Sequence, residues 1–209
     1  MNFSNQNLLL QSNDYAPASS ETTSTNWRIV YGTILALGIL FRVFHYIYNR
    51  SLWIDEAYLA TSLINFDFIR LATPPLEYEQ KAPIGFLWAV KLMVVVFGKK
   101  EMALRLIPFL CGIASLFFFL PVARYFLKLV GALVAFGVLA FAPPLIYHTV
   151  EIKQYGSELL ATILSLYLYI KYQDKKELSS LFSWGLWGAL LLWFSYSAIF
   201  ILAGIAIGT

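Results

Sequence analysis

The chain has 209 residues, of which 59% are hydrophobic, 17% aromatic and only 13% charged, against roughly 25% charged in an ordinary soluble domain. Too few polar side chains remain to cover a water-exposed surface, so an ordinary soluble fold is excluded. The net charge of +3, with basic residues dispersed among loops and not gathered in a stripe, gives a nucleic-acid partner no support.

Residues 1–27 are rich in Ser, Asn, Thr and Gln and contain no Lys or Arg. They lack the basic n-region of a cleaved signal peptide and read as a disordered polar tail. Apolar segments follow at about 28–47, 83–97, 104–123, 129–148, 156–172 and 181–207, most of them near the ~20 residues needed to cross a bilayer. They predict an all-α, polytopic transmembrane helical bundle of five or six spans occupying residues 28–209. The segment 83–97 is short and carries Lys91 in its middle, which is costly in lipid unless the ammonium snorkels or faces protein. If that segment spans, the acidic regions around Asp55 and Glu151 fall on opposite faces; if it lies along the interface, they share one. The last apolar segment runs to Thr209 without a polar tail, and the expectation is a chain truncated at its C-terminus. The single Cys111 allows neither an intramolecular disulfide nor a Cys-based metal site.

The loop 48–82 is the long polar stretch of the body and holds Ser51-Leu52-Trp53-Ile54-Asp55-Glu56-Ala57-Tyr58 directly after the first span. A helix starting near Ser51 puts Ser51, Asp55 and Ser62 on one face and Leu52, Leu59 and Leu63 on another. That is an amphipathic juxtamembrane helix suited to lying on the membrane surface, with Asp55 and Glu56 either solvating it or facing a cavity. Lys81, just before Ala82-Pro83, is either an interfacial anchor or a point charge for a phosphate. Arg105, in Ala103-Leu104-Arg105-Leu106, is either a snorkelling flank or a buried anion partner. After Pro143-Pro144, Glu151, Tyr155 and Glu158 share a helical face at spacings of four and three, while Lys153 points elsewhere. Neither His45 nor His148 has a second ligand at metal spacing, and there is no Gly-rich phosphate loop or nucleophile elbow.

In order and spacing, these clusters resemble the membrane glycosyltransferases of the protein O-mannosyltransferase and aminoarabinose-transferase group (glycosyltransferase family 39, the GT-C fold), from about Ile29 to Leu181. Trp53-Ile54-Asp55-Glu56-Ala57 is similar to that family's acidic pair in the first external loop. Gln80-Lys81-Ala82-Pro83 resembles its Lys-Pro-Pro element, with Ala82 in place of the first Pro. Gly98 to Leu106 is similar to its Gly, spacer, Ala-Leu-Arg-Leu stretch, and Pro143-Pro144 through Tyr155 to its Pro and Arg-x-x-Tyr stretch, with Lys153 in the basic role.

The resemblance implies the N-terminal part of a GT-C fold with its active loop on the extracytoplasmic side. It implies transfer of a sugar, with inversion, from a polyprenyl-phosphate donor to the hydroxyl of a protein, lipid or glycan acceptor. Asp55 would be the general base, with Glu56 orienting it or tuning its pKa. Lys81 and Arg105 would bind the donor phosphate, and Glu151, Lys153, Tyr155 and Glu158 the sugar or acceptor. No cofactor is called for, and a divalent metal is left open. Two alternatives stand beside this reading: a non-catalytic membrane subunit whose charges pair internally, and an inactive truncated fragment of such an enzyme.

Overall fold

The computed structural model describes residues 20–175 and 177–208, and among them every regular element is helical. The expected tail at residues 1–19 and Lys176 lie outside the described residues. The elements are α1 (Ser20–Tyr48), α2 (Ile54–Asn65), α3 (Phe68–Leu71), a 3₁₀ turn (Glu77–Glu79), α4 (Ile84–Phe97), α5 (Glu101–Phe126), α6 (Leu129–Phe141), α7 (Pro143–His148), α8 (Tyr155–Tyr172), α9 (Leu178–Phe194) and α10 (Ala198–Gly208). The chain divides into residues 1–33 and 34–209; every contact described below lies within the second unit. Residues 20–27, expected in the tail, form the first turns of α1.

Two stretches, Asn26–Tyr48 and Glu101–Phe126, are long and apolar enough to cross a membrane, at 23 and 26 residues. Shorter apolar helices occupy Ile84–Phe97, Leu129–Phe141, Leu178–Phe194 and Ala198–Ile207. Large hydrophobic side chains such as Phe44, Val95, Val130 and Phe182 stand exposed on these helices, as lipid-facing positions must. Central in this arrangement is α5, which packs against α4, α6 and α8. It runs in the same direction as α8: the Pro108 carbonyl lies beside Gly156, Phe118 meets Tyr167 edge-on at 5.6 Å, and the Tyr125 hydroxyl hydrogen-bonds Gln173. The approach is close enough to require glycine. A Cβ on Gly156 would stand 2.9 Å from the Pro108 oxygen, and one on Gly112 would stand 2.2 Å from Cγ2 of Thr149. Small residues that let backbones meet are a recurrent device of helix packing in lipid.

Three expected spans have different limits, each for a local reason. The segment 104–123 belongs to a longer helix, α5. The segment 181–207 divides into α9 and α10 at Ser195-Tyr196-Ser197, where the buried Ser195 Oγ accepts from the Ala198 N–H and starts a new helix. The segment 129–148 breaks at Ala142 into α6 and α7, because neither Pro143 nor Pro144 has an N–H to continue the ladder.

That break leaves the carbonyls of Leu139 and Ala140 without their i+4 donors, which would have been the N–H groups of the two prolines. Arg42, from the middle of the apolar stretch of α1, supplies the missing bonds. Its Nη1 donates to the Ala140 oxygen at 3.0 Å and to its own Gly38 oxygen at 3.0 Å, and Nη2 donates to the Leu139 oxygen at 2.9 Å. The side chain is fully buried. A cation at a helix C-terminus also meets the negative end of the helix dipole, so one guanidinium serves both hydrogen bonding and charge.

A second cation does the same for α2. Lys91 of α4 donates from Nζ to the carbonyls of Leu63 and Ile64 at 3.1 and 3.3 Å. The Lys that makes 83–97 an expensive span on its own therefore faces protein. With Trp88 Nε1 donating to the Phe68 oxygen at 2.8 Å, it fastens α4 beneath α2 and α3. At 14 residues, α4 is about 21 Å long, short of the ~30 Å of a hydrocarbon core.

Candidate functional site

The amphipathic helix of the first loop begins at Ile54, not Ser51, and its buried face is Glu56, Leu59, Ala60, Ser62 and Leu63. Ser62 thus lies on the face opposite to the one expected for it, and its Oγ accepts from the Glu77 N–H at 3.0 Å. Leu59 and Leu63 pack into a core with Phe86, Val90 and Ile152, so this face is covered by protein.

Adjacent residues on a helix point about 100° apart, and that separates the acidic pair. Glu56 is fully buried and Asp55 is exposed. Glu56 Oε1 accepts from Arg105 Nε (3.3 Å) and Nη2 (3.2 Å) and from the Ile152 N–H (2.9 Å). Its Oε2 accepts from the Trp53 N–H at 3.0 Å and from Arg50 Nη1 at 3.0 Å. The bond to Trp53 is half of a capping box, the N3 carboxylate reaching back to the N-cap. Arg105 is only 1% exposed and spends Nη1 on the Asn49 side chain (3.0 Å) and the Arg50 carbonyl (2.7 Å). Asn49 takes the left-handed conformation at φ 43°, which Asn adopts more readily than most residues. Its amide bridges Arg105 to Glu101, with Nδ2 donating at 3.2 Å.

The expectation that Arg105 faces a donor phosphate therefore meets a guanidinium buried in the protein and committed to Glu56, Asn49 and Arg50. An ion pair in low dielectric overcomes its desolvation only when its remaining lone pairs and protons are satisfied, and here they are. The pair ties together the end of α1, the start of α2, the first turn of α5 and the turn before α8. The acidic regions around residues 55 and 151 therefore meet, which removes the arrangement that sets them on opposite faces.

Asp55 makes no hydrogen bond among the described residues; its charge is felt at Tyr155. Burial raises the Tyr155 hydroxyl above the usual tyrosine pKa, and the carboxylates of Glu151, Asp55 and Glu158 raise it further. Glu151 precedes α8 and does not lie on it. It is bound to His148, with Nδ1 and Oε2 2.6 Å apart, and the imidazole meets the Tyr155 ring edge at 4.8 Å. Asp55, Glu151, Tyr155 and Glu158 thus form one acidic neighbourhood, with His148 among them.

The basic side lies on the 72–82 segment. Lys81 is exposed, has no hydrogen-bond or ion-pair partner among the described residues, and lines a cavity of about 480 Å³ with Pro74, Pro75, Glu79, Gln80 and Tyr196. Lys153 Nζ donates to the neighbouring Gln80 Oε1 at 2.6 Å, which brings the second expected cation to the same segment. This stretch is held in an uncommon backbone shape: Tyr78 and Glu79 have φ of 54° and 55°, a conformation that persists only where surroundings fix it. The Tyr78 ring stacks on Tyr58 at 4.2 Å, Arg70 donates to the Thr73 and Pro75 carbonyls, and the Tyr196 hydroxyl donates to the Ala82 oxygen at 3.0 Å.

Sequence reasoning passed over Arg50, Asn49 and Arg42. Arg50 stacks over the Tyr147 ring at 4.2 Å and keeps Nε and Nη2 buried without a hydrogen-bond partner. Its signal was its place, between a long apolar helix and an acidic pair. Among the described residues, no group of three or more His, Cys, Asp or Glu is arranged to hold a metal ion.

The apolar helices thus carry at one end an acidic neighbourhood, the cations Lys81 and Lys153, and a buried ion pair. Residues 81–207, more than half of the chain, match the family model of dolichyl-phosphate-mannose-protein mannosyltransferase. The chain belongs to that family of membrane glycosyltransferases. The matched stretch includes Lys81, Arg105, Glu151, Lys153, Tyr155 and Glu158; Asp55 and Glu56 precede it. No curated protein and no solved structure matches the chain.

Proposed function

We propose that the protein transfers a sugar, with inversion, from a polyprenyl-phosphate donor to an acceptor hydroxyl, and that residues 28–209 form a multi-pass membrane module with this site on the extracytoplasmic side. The observation that carries the reading is the Glu56–Arg105 pair with its bond to the Ile152 N–H. It joins the Asp55 loop to the family-matched part of the chain. In the reaction, the acceptor oxygen attacks the anomeric carbon as the bond from that carbon to the phosphate oxygen breaks. The acceptor proton passes to Asp55, and the bonding pair leaves on the phosphate.

Asp55 suits the role of base because it is exposed, ionisable and unengaged. Lys81 and Lys153 suit stabilisation of charge that grows on the departing phosphate. Glu56 and Arg105 act here as positioning residues, and Glu151, Tyr155 and Glu158 as contacts to sugar or acceptor. Lipid supplies the donor, so no nucleotide-binding motif is required.

The non-catalytic alternative, in which charges serve packing, accounts for Glu56 and Arg105 but not for Asp55 and Lys81, which pair with nothing among the described residues. The deciding experiment is transfer of radiolabelled sugar from polyprenyl-phosphate donors in membranes containing the protein or its Asp55→Asn variant. A positioned general base contributes about 10²–10⁴-fold, and a loss of that size at unchanged protein level is expected. Equal transfer by the two proteins would overturn the assignment of Asp55.

A further inference from the structure

A second cavity, of about 470 Å³, lies away from the charged site, between α5, α8 and α9. Its walls are apolar, built by Phe118, Leu160, Leu164, Leu168, Trp187 and Leu190, and Lys171 is the one charged residue among the described residues that line it. The cavity follows α8 from Ser157 to Lys171, fourteen residues and about 21 Å at the helical rise, compared with about 15 Å for one leaflet of the hydrocarbon core.

The groove is long, apolar and open along one side, a shape that an extended hydrocarbon chain can occupy. The two ends also differ. At Ser157 the hydroxyl is committed to the Gln154 and Phe194 carbonyls, so that end presents apolar walls and no open donor. At the other end Lys171 lines the groove, its ammonium group 5.3 Å from the centroid of the Tyr172 ring, and Lys175, 5.5 Å from the same ring, stands beside a neighbouring pocket. Asp174 and Glu177 follow on the connecting turn, outside the lining of the groove.

We propose that this groove holds one acyl chain of an anionic phospholipid, its headgroup phosphate at Lys171 and Lys175. Because α5 and α8 run in the same direction, the Lys171 end of the groove lies at the opposite end of the helices from Asp55, Lys81 and the Glu56–Arg105 pair. The ligand is therefore a lipid of the other leaflet, distinct from the sugar donor. Acyl packing supplies affinity, and the ammonium groups select for negative charge.

The test is native mass spectrometry of the purified protein with equal amounts of phosphatidylglycerol and phosphatidylcholine bearing the same acyl chains. The expected result is several-fold preferential retention of phosphatidylglycerol. That preference is lost in Lys171→Glu, an exposed change that leaves the fold intact. Total retention falls in Leu164→Trp, which fills the slot, and is unchanged in Val134→Trp, which enlarges a lipid-facing side chain on α6. Equal retention of both lipids by the unaltered protein, or retention indifferent to both Lys171→Glu and Leu164→Trp, would overturn the proposal in favour of nonspecific boundary lipid. A dimer signal abolished by Leu164→Trp would overturn it in favour of a second copy. Sugar transfer is not the readout, so this outcome and that of the Asp55 experiment are independent.

Discussion

Two buried arginines, Arg42 and Arg105, solve the same problem in opposite ways. Arg105 is neutralised by a carboxylate, with Glu56 taking its Nε and Nη2 while Asn49 and a backbone oxygen take Nη1. Arg42 has three carbonyl oxygens as its acceptors and no carboxylate. The ion pair links elements around a site and fails if either partner is lost. The carbonyl clamp compensates a helix that prolines have broken, so its value depends on the prolines still being there. A buried charge is thus explained only by its acceptors, and the acceptors say whether it serves a site or a scaffold.

The comparison can be broken at its strongest point first. Glu56→Gln leaves Arg105, and one donor of Arg50, without a counter-charge in a dry place. Breaking a buried pair costs about 3–5 kcal/mol, so detergent-solubilised variant protein is expected to lose most of its folded population in a thermal-unfolding series. Arg42→Met is next: it orphans two carbonyls at about 1–3 kcal/mol each. Here the two arginines should part company. Adding Pro143→Ala and Pro144→Ala restores N–H donors at i+4, and a double-mutant cycle should show recovery of at least about 1 kcal/mol. The same alanines should do nothing for Glu56→Gln. Absence of any coupling between Arg42 and the prolines would dismiss the clamp. The smallest effect belongs to Lys91→Met, which removes a cation from the end of α2 and should cost about 0.3–1 kcal/mol. It is readable as faster hydrogen exchange at the last turn of α2 with the global midpoint nearly unchanged.

Much of this organisation is legible in the sequence because lipid allows few solutions. Apolar runs near span length forecast helices, and Lys91 in an apolar run calls for an ammonium that snorkels or faces protein, but the run 129–148 reads as one segment and the break at Pro143-Pro144 shows only in the structure. The roles of Asp55 and Glu56 are not legible, since both are acidic and adjacent. What separates them is the distant Arg105 and the N–H of Ile152, which local periodicity cannot reveal. Arg42 was passed over for a related reason: its acceptors are backbone oxygens, and the only trace of them in sequence is a Pro-Pro pair far along the chain. The site segment 77–82 owes its shape to left-handed residues that are not glycine, so no turn signal announced it.

The Arg42 clamp also has a history in time. Its acceptors on α6 are 97 and 98 residues further along the chain, so at about 5–20 residues per second of synthesis they emerge some ~5–20 s after it. During that interval the guanidinium has only its own Gly38 carbonyl to bond, and on the proposed topology, in which α1 crosses the bilayer, a central Arg weakens insertion by about 2.5–3.5 kcal/mol. Biogenesis therefore has a vulnerable stage between the arrival of α1 and that of α6. A ribosome stalled in that window would expose a half-committed helix to quality control, whereas one stalled after α6 has cleared the exit tunnel would not.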